Sequence, residues 1–207
     1  MPLENLHNGS SAAWALWKIE EDELTLTKAV APYEIPPARV TNPYKRLEFL
    51  AGRVLIKELL KAWGLEFQGL TKDEFGKPFV KNFPFQISLS HSYPYAAAVI
   101  HREQAVGIDL EQPKEKLIKI APRVLASGEL QDAGSDIVKH CIYWCAKESL
   151  VKIHGKKDLI FAENLKIDSF TRQKEGELIG RIIVKTYQTA IPLQYFVYDN
   201  FVVVVSK

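Results

Sequence analysis

The sequence predicts an α+β protein built as a pseudo-dimer: two similar α/β subdomains, each a strong helix packed on a small, mostly antiparallel sheet. Three observations carry this expectation. Two long helical patterns, residues 41–64 and 135–155, stand in separate halves of the 207-residue chain. Each is followed by short segments that alternate or run apolar as strands do. Laying "FLAGRVLIK" (49–57) over "WCAKESLVK" (144–152) also matches Ala51 with Ala146, Leu55 with Leu150 and Lys57 with Lys152, three positions in nine at an offset of 95 residues. Such self-similarity is compatible with an internal duplication. The expected subdomains are residues 1–103 and 104–207, with a cleft between them.

The elements follow in order. In "TNPYKRLEFLAGRVLIKELLKAWG" Asn42 is a helix cap, Pro43 suits the first turn and Gly64 can close the helix. Its apolar positions wrap most of the circumference, so much of it should be buried. "FQISLSHS" (85–92) alternates, with Phe85, Ile87, Leu89 and His91 on one face and Gln86, Ser88, Ser90 and Ser92 on the other. "YAAAVI" (95–100) and "AVGIDLE" (105–111) read as the next two strands, and the turn-like "HREQ" between them predicts a hairpin. "PKEKLIKIAPRVLASGELQDAG" suggests short helices broken at Pro122 and Gly128. The second long helix has Ser135 or Asp136 as cap and Gly155 as stop. Strands are expected around 179–187, 191–198 and 201–205.

Composition narrows the class. The chain is 47% hydrophobic and 25% charged, with 27 Lys and Arg against 25 Asp and Glu. Neither half is basic enough for a nucleic-acid surface, so a bound phosphate must be met by a local basic cluster. The N-terminus lacks the basic stretch and apolar core of a secretory signal, and no apolar run approaches the roughly 20 residues that span a bilayer. No membrane partner is expected. Cys141 and Cys145 lack a second ligand pair and make a poor zinc site, so they read as buried reduced thiols. The expected compartment is the cytoplasm.

"VGIDLE" (106–111) raises a chemical question. As a strand it sends Gly107, Asp109 and Glu111 to one side, so two carboxylates share a face. Like charges at such spacing repel unless something positive lies between them. On the second long helix, at 100° per residue from Trp144, Glu148 falls at about 40° and Lys152 at about 80°. Both angles lie inside the arc marked by Ile137, Cys141 and Cys145. A solvated i, i+4 Glu–Lys pair would be ordinary, but here the pair occupies an inward face, where uncompensated charge is costly. Asp109, Glu111 and Glu148 thus form a three-carboxylate set. Hard oxygen ligands suit magnesium, which keeps waters and substrate phosphates in its shell, and Lys152 is placed to reach a phosphate oxygen.

In order along the chain, "FGKPFV" (75–80), "SLSHS" (88–92), "VGIDLE" (106–111) and "WCAKESLVK" (144–152) resemble the motifs of the 4′-phosphopantetheinyl transferases, in their longer, surfactin-synthetase-activating type. The resemblance spans about the middle third of the chain. It implies two similar subdomains in one monomeric chain, with coenzyme A bound at their junction. The implied reaction is attack by a serine of an apo acyl or peptidyl carrier protein on the β-phosphate of coenzyme A, releasing 3′,5′-ADP. By resemblance, Asp109 and Glu148 bind Mg2+, with Glu111 a third ligand directly or through water. Glu148, or a water it orients, is the base, and Lys152 neutralises the diphosphate. Lys77, Ser90 and His91 grip the 3′-phosphate, and Arg46, with Arg53 as a structural or phosphate contact, adds a basic group from the first long helix. Ser88 stands where members often have Asn, and Cys145 where they often have Ser or Thr. Two other readings are a coenzyme A or carrier-binding protein without turnover, and another magnesium-dependent phosphotransferase or nuclease.

Overall fold

A computed structural model describes residues 3–156 and 158–207. Two compact units divide the chain between Val106 and Gly107. The first contains β1 (Leu3–Asn8), β2 (Ala12–Lys18), α1 (Glu23–Val30), α2 (Pro43–Ala62), β3 (Leu70–Lys72), β4 (Pro78–Val80), β5 (Gln86–Ser92) and β6 (Tyr95–His101). Its strands pair antiparallel in the order β1-β2-β6-β5-β4-β3. The second contains β7 (Ile108–Glu111), α3 (Glu115–Val124), α4 (Ser127–Ala133), α5 (Ile137–His154), α6 (Phe161–Asn164), β8 (Leu165–Ile167), β9 (Glu175–Val184), β10 (Tyr187–Val197) and β11 (Val202–Ser206). Its antiparallel order is β7-β11-β10-β9-β8. Setting β1 aside, the two sheets have the same topology: the strand before the helices lies beside the last strand, and the rest follow in reverse order. An α+β chain with a long helix on each antiparallel sheet is the fold class expected.

The long helices start and stop where their end residues dictate. Asn42 Oδ1 accepts from the backbone N–H groups of Tyr44 at 3.0 Å and Lys45 at 3.2 Å. Asp136, not Ser135, caps α5, accepting from Val138 at 3.0 Å and Lys139 at 3.1 Å. Each cap satisfies N–H groups that no preceding turn can reach, an effect of about 1 kcal/mol. Gly155, at φ +76°, ends α5 in the left-handed region. Leu50, Leu55, Ile56, Leu59 and Leu60 of α2 are fully buried with Ile87, Ala98 and Ile100 of the sheet. Each such large side chain contributes about 1.5–3 kcal/mol by leaving water.

Three local expectations need correction. The β6–β7 hairpin does not form: β6 is flanked by β2 and β5, whereas β7 pairs with β11. Both sides of β6 are filled by strands of its own unit, and the apolar run Val202–Val205 supplies the partner that buries β7. Pro122 lies inside α3 and Gly128 inside α4, and the break falls between them at Leu125 and Ala126. Pro122 is exposed in the last turn, where one lost backbone bond is tolerated, and Gly128 sits in a first turn whose N–H groups have no intrahelical acceptor. Finally, the deepest side of α5 is rotated from the arc read off the sequence. Tyr143, Ala146, Lys147, Ser149 and Leu150 are buried there, while Trp144, Glu148 and Lys152 are half-buried at its edge.

Candidate functional site

The acidic constellation is assembled within the second unit by β7 and α5. Helix and strand approach so closely at Gly107 that a Cβ there would lie 2.1 Å from the carbonyl oxygen of Ser149. Only glycine fits. Two residues on, Asp109 is buried and faces the same helix, and Lys152 Nζ donates to its Oδ1 at 2.7 Å and to the Ile108 carbonyl at 2.8 Å. Glu148 lies one turn before Lys152. Burial, and then the charge of Asp109, push its carboxyl up to about 7, with Lys152 opposing. That shift records two carboxylates close enough to repel in a poorly hydrated place.

Glu111 is turned to another use. Its carboxylate accepts from Lys116 Nζ at 2.8 Å and from the Gln112 N–H at 2.8 Å. Among the described residues no group of three or more His, Cys, Asp or Glu side chains is gathered as a metal cluster. Asp109 and Glu148 nevertheless suit a hard divalent cation, which takes one or two carboxylates and completes its shell with water and phosphate oxygens. Cys141 and Cys145 are free, buried thiols. Burial pushes Cys145 well above the usual thiol range, so neither chemistry nor access suits it to metal binding.

In the first unit the expected phosphate contacts occupy three settings. His91, exposed at the end of β5, directs Nδ1 to Glu48 Oε2 at 3.1 Å. Glu48 is buried on α2 and also takes Lys45 at 2.7 Å and the Tyr93 N–H at 3.1 Å. Burial alone would raise its carboxyl, but hydrogen bonds and charge from His91 and Lys45 prevail and hold it at about 2. Ser90, like Ser88, is buried on β5. Lys77 follows Gly76, whose φ of +88° closes a turn held by Asp73, the acceptor of the Phe75 and Lys77 N–H groups. Half-buried, Lys77 has its ammonium pulled below the usual lysine range, against the pull of Asp73.

The two arginines are committed to ion pairs. Arg46 grips Glu23 with Nε at 2.9 Å and Nη2 at 2.6 Å, and its Nη1 donates to the Val40 carbonyl. Arg53 is buried, bonds Glu34 at 3.0 Å and lies 3.3 Å over the Phe49 ring. Their two-turn spacing does aim both the same way, toward carboxylates on α1 and the segment after it.

Sequence reasoning passed over Glu48 and Lys147. Glu48 interrupts the apolar run "LEFLAG", a signal that was legible. Lys147 is wholly buried and joins Glu129 at 2.6 Å and the carbonyls of Val124 and Phe161. Nothing local marks it, because its partners come from α3, α4 and α6.

Fold and site together define an α+β chain of two topologically matched units, the second bearing two acids and a lysine between its first strand and its long helix. Residues 105–206 match the family model of the 4′-phosphopantetheinyl transferase superfamily. A 4′-phosphopantetheinyl transferase of Bacillus subtilis is 31% identical over 137 residues, 58% of this chain and 58% of the relative. The 4′-phosphopantetheinyl transferase psf-1 of Bacillus pumilus is 30% identical over 116 residues, 52% and 49% of the two chains. The 4′-phosphopantetheinyl transferase Sfp of Bacillus subtilis strain 168 is 28% identical over 133 residues, 59% and 56%. The matches thus cover about half the length of these curated relatives. Among the described residues no helix is long and apolar enough to cross a membrane.

Proposed function

We propose that this chain is an enzyme that transfers 4′-phosphopantetheine from coenzyme A to a serine of an apo carrier protein. The observation that carries the proposal is the joining of Asp109, Glu148 and Lys152 at the β7–α5 contact, inside the stretch matched by the family model. Asp109 and Glu148 would hold Mg2+, with Glu111 contributing through water. The ion supplies charge neutralisation at the diphosphate. Glu148, or a water it orients, takes the proton of the attacking serine hydroxyl. The serine oxygen forms a bond to the β-phosphorus as the bond to the bridging oxygen breaks, and 3′,5′-ADP carries away the electron pair. Lys152 stabilises the charge that develops on the phosphate oxygens.

His91, fixed by Glu48, and Lys77, short of hydration, are suited to a phosphate dianion, so we assign them with Ser90 to the 3′-phosphate of coenzyme A. Arg46 and Arg53 act first through Glu23 and Glu34, holding α2 in place for that group. For the carrier, the exposed Lys116, Lys119 and Arg123 of α3 suit an acidic partner. Incubation with coenzyme A, Mg2+ and a panel of apo carrier proteins tests the reading by mass spectrometry. A gain of the phosphopantetheine mass is expected. Tight coenzyme A binding with no gain on any carrier would make the chain a binding protein instead.

A further inference from the structure

A row of buried polar donors on α5 reaches the two strands beneath it. Cys141 Sγ donates to the Glu111 carbonyl at 3.5 Å, Cys145 Sγ to the Val202 carbonyl at 3.9 Å, and Ser149 Oγ to the Val204 carbonyl at 3.0 Å. Val202 and Val204 lie directly across the ladder from Glu111 and Asp109. The donors therefore run alongside the carboxylate-bearing strand in register with it. The thiol contacts are long and weak, whereas the Ser149 bond is short and wholly buried. It also sits at the closest approach of the helix, where the Ser149 carbonyl rests on Gly107.

Apolar contacts alone would let a helix slide or lift by fractions of an ångström, because dispersion and burial have no preferred direction. A hydrogen bond to a strand carbonyl does have one, and losing it strands a buried acceptor site. Ser149 immediately follows Glu148, and its acceptor faces Asp109. We infer that Ser149, seated against Gly107, is a positioning residue that sets the spacing of Glu148 from Asp109. The inference rests on the function proposed above, since that spacing matters only where both carboxylates meet one cation. Metal ligands must be held within a few tenths of an ångström, and partners one layer out commonly change metal affinity by about tenfold or more.

The test uses the full chain and Mn2+ alone, titrated by electron paramagnetic resonance, beside crystal structures of the metal-free variants. In S149A the dissociation constant for Mn2+ is expected to rise about tenfold, and α5 to move from β11 by about half an ångström. S149C, which keeps a donor, should recover part of the affinity. Leu150→Ala is the control: that side chain is buried against Gly180 on β9, so the variant should lower the melting temperature at least as much and leave Mn2+ affinity unchanged. Wild-type affinity in S149A, an unmoved helix, or equal weakening in L150A overturns the inference. A wild-type chain that binds no Mn2+ while α5 still shifts in S149A overturns the proposed function and leaves the positioning role standing.

Discussion

In the first unit the strand face that joins the long helix in the core carries Ala13, Ala15 and Trp17; in the second the matching face carries Gly107, Asp109 and Glu111. The helices differ in the same sense. Charges on α2 are matched close by: Arg53 by Glu34, Arg46 by Glu23, and Glu48 by Lys45 and His91. On α5 burial, and then the charge of Asp109, lift the Glu148 carboxyl to about 7, whereas Glu48 on α2 is held at about 2. One topology has therefore been given two electrostatic characters. Where opposite charges meet, the group is a structural member. Where a like charge sits beside a buried acid, the acid is held less readily ionised, and the exposed Lys45 and His91 are where the Glu48 network reaches solvent.

Removing an acid from the crowded side is the most severe way to break this contrast. Asp109→Ala and Glu148→Ala should lower phosphopantetheine transfer by about a thousandfold or more, with melting temperatures close to the parent. Normal transfer by Glu148→Ala would end its catalytic assignment. Next comes Gly107→Ala, which drives a methyl into the Ser149 backbone and should cost about 2–4 kcal/mol in urea unfolding. An unchanged midpoint would mean that the close approach is not obligatory. On the balanced side, the 3′-phosphate assignment requires His91→Ala and Lys77→Ala to raise KM for coenzyme A about tenfold while kcat holds, as loss of contacts remote from the reacting phosphorus does. Unchanged KM in both would remove the 3′-phosphate assignment.

The smallest effect is a matter of pH. Glu48 has its folded pKa at about 2 against an ordinary value of 4.5, so the stability it confers is complete above about pH 4.5 and is lost as pH falls toward 2. Glu48→Gln should flatten the acid limb of the stability curve over that interval, read from urea midpoints between pH 5 and pH 2. A variant as acid-sensitive as the parent would show that the ion pairs of Glu48 contribute nothing.

Much of this was legible in the residues. Asn42, Pro43, Asp136 and Gly155 act on their own neighbours, so the helix limits could be read directly. Glu148 and Lys152 stood out because charged types occupied positions of apolar periodicity, and Asp109 because it shares a strand face with Glu111. Less was legible where the decisive neighbour is far along the chain. Val202–Val205 captured β7 from its sequence neighbour β6, and the burial of Lys147 depends on Glu129. Glu111 was read as a third acid beside Asp109, and its oxygens accept from Lys116, in the first turn of α3, and from the Gln112 N–H.

By itself the sequence determined what short range controls: where helices begin and end, which residues alternate along a strand, and which side chains bring charge to an inward face. These depend on backbone groups and periodicities within a few residues. The tertiary structure alone decided which strand lies beside β7, how near α5 approaches it, and that Lys152 meets Asp109. Those outcomes turn on the packing of segments some 40 to 100 residues apart, and long-range pairing is chosen by the burial it achieves.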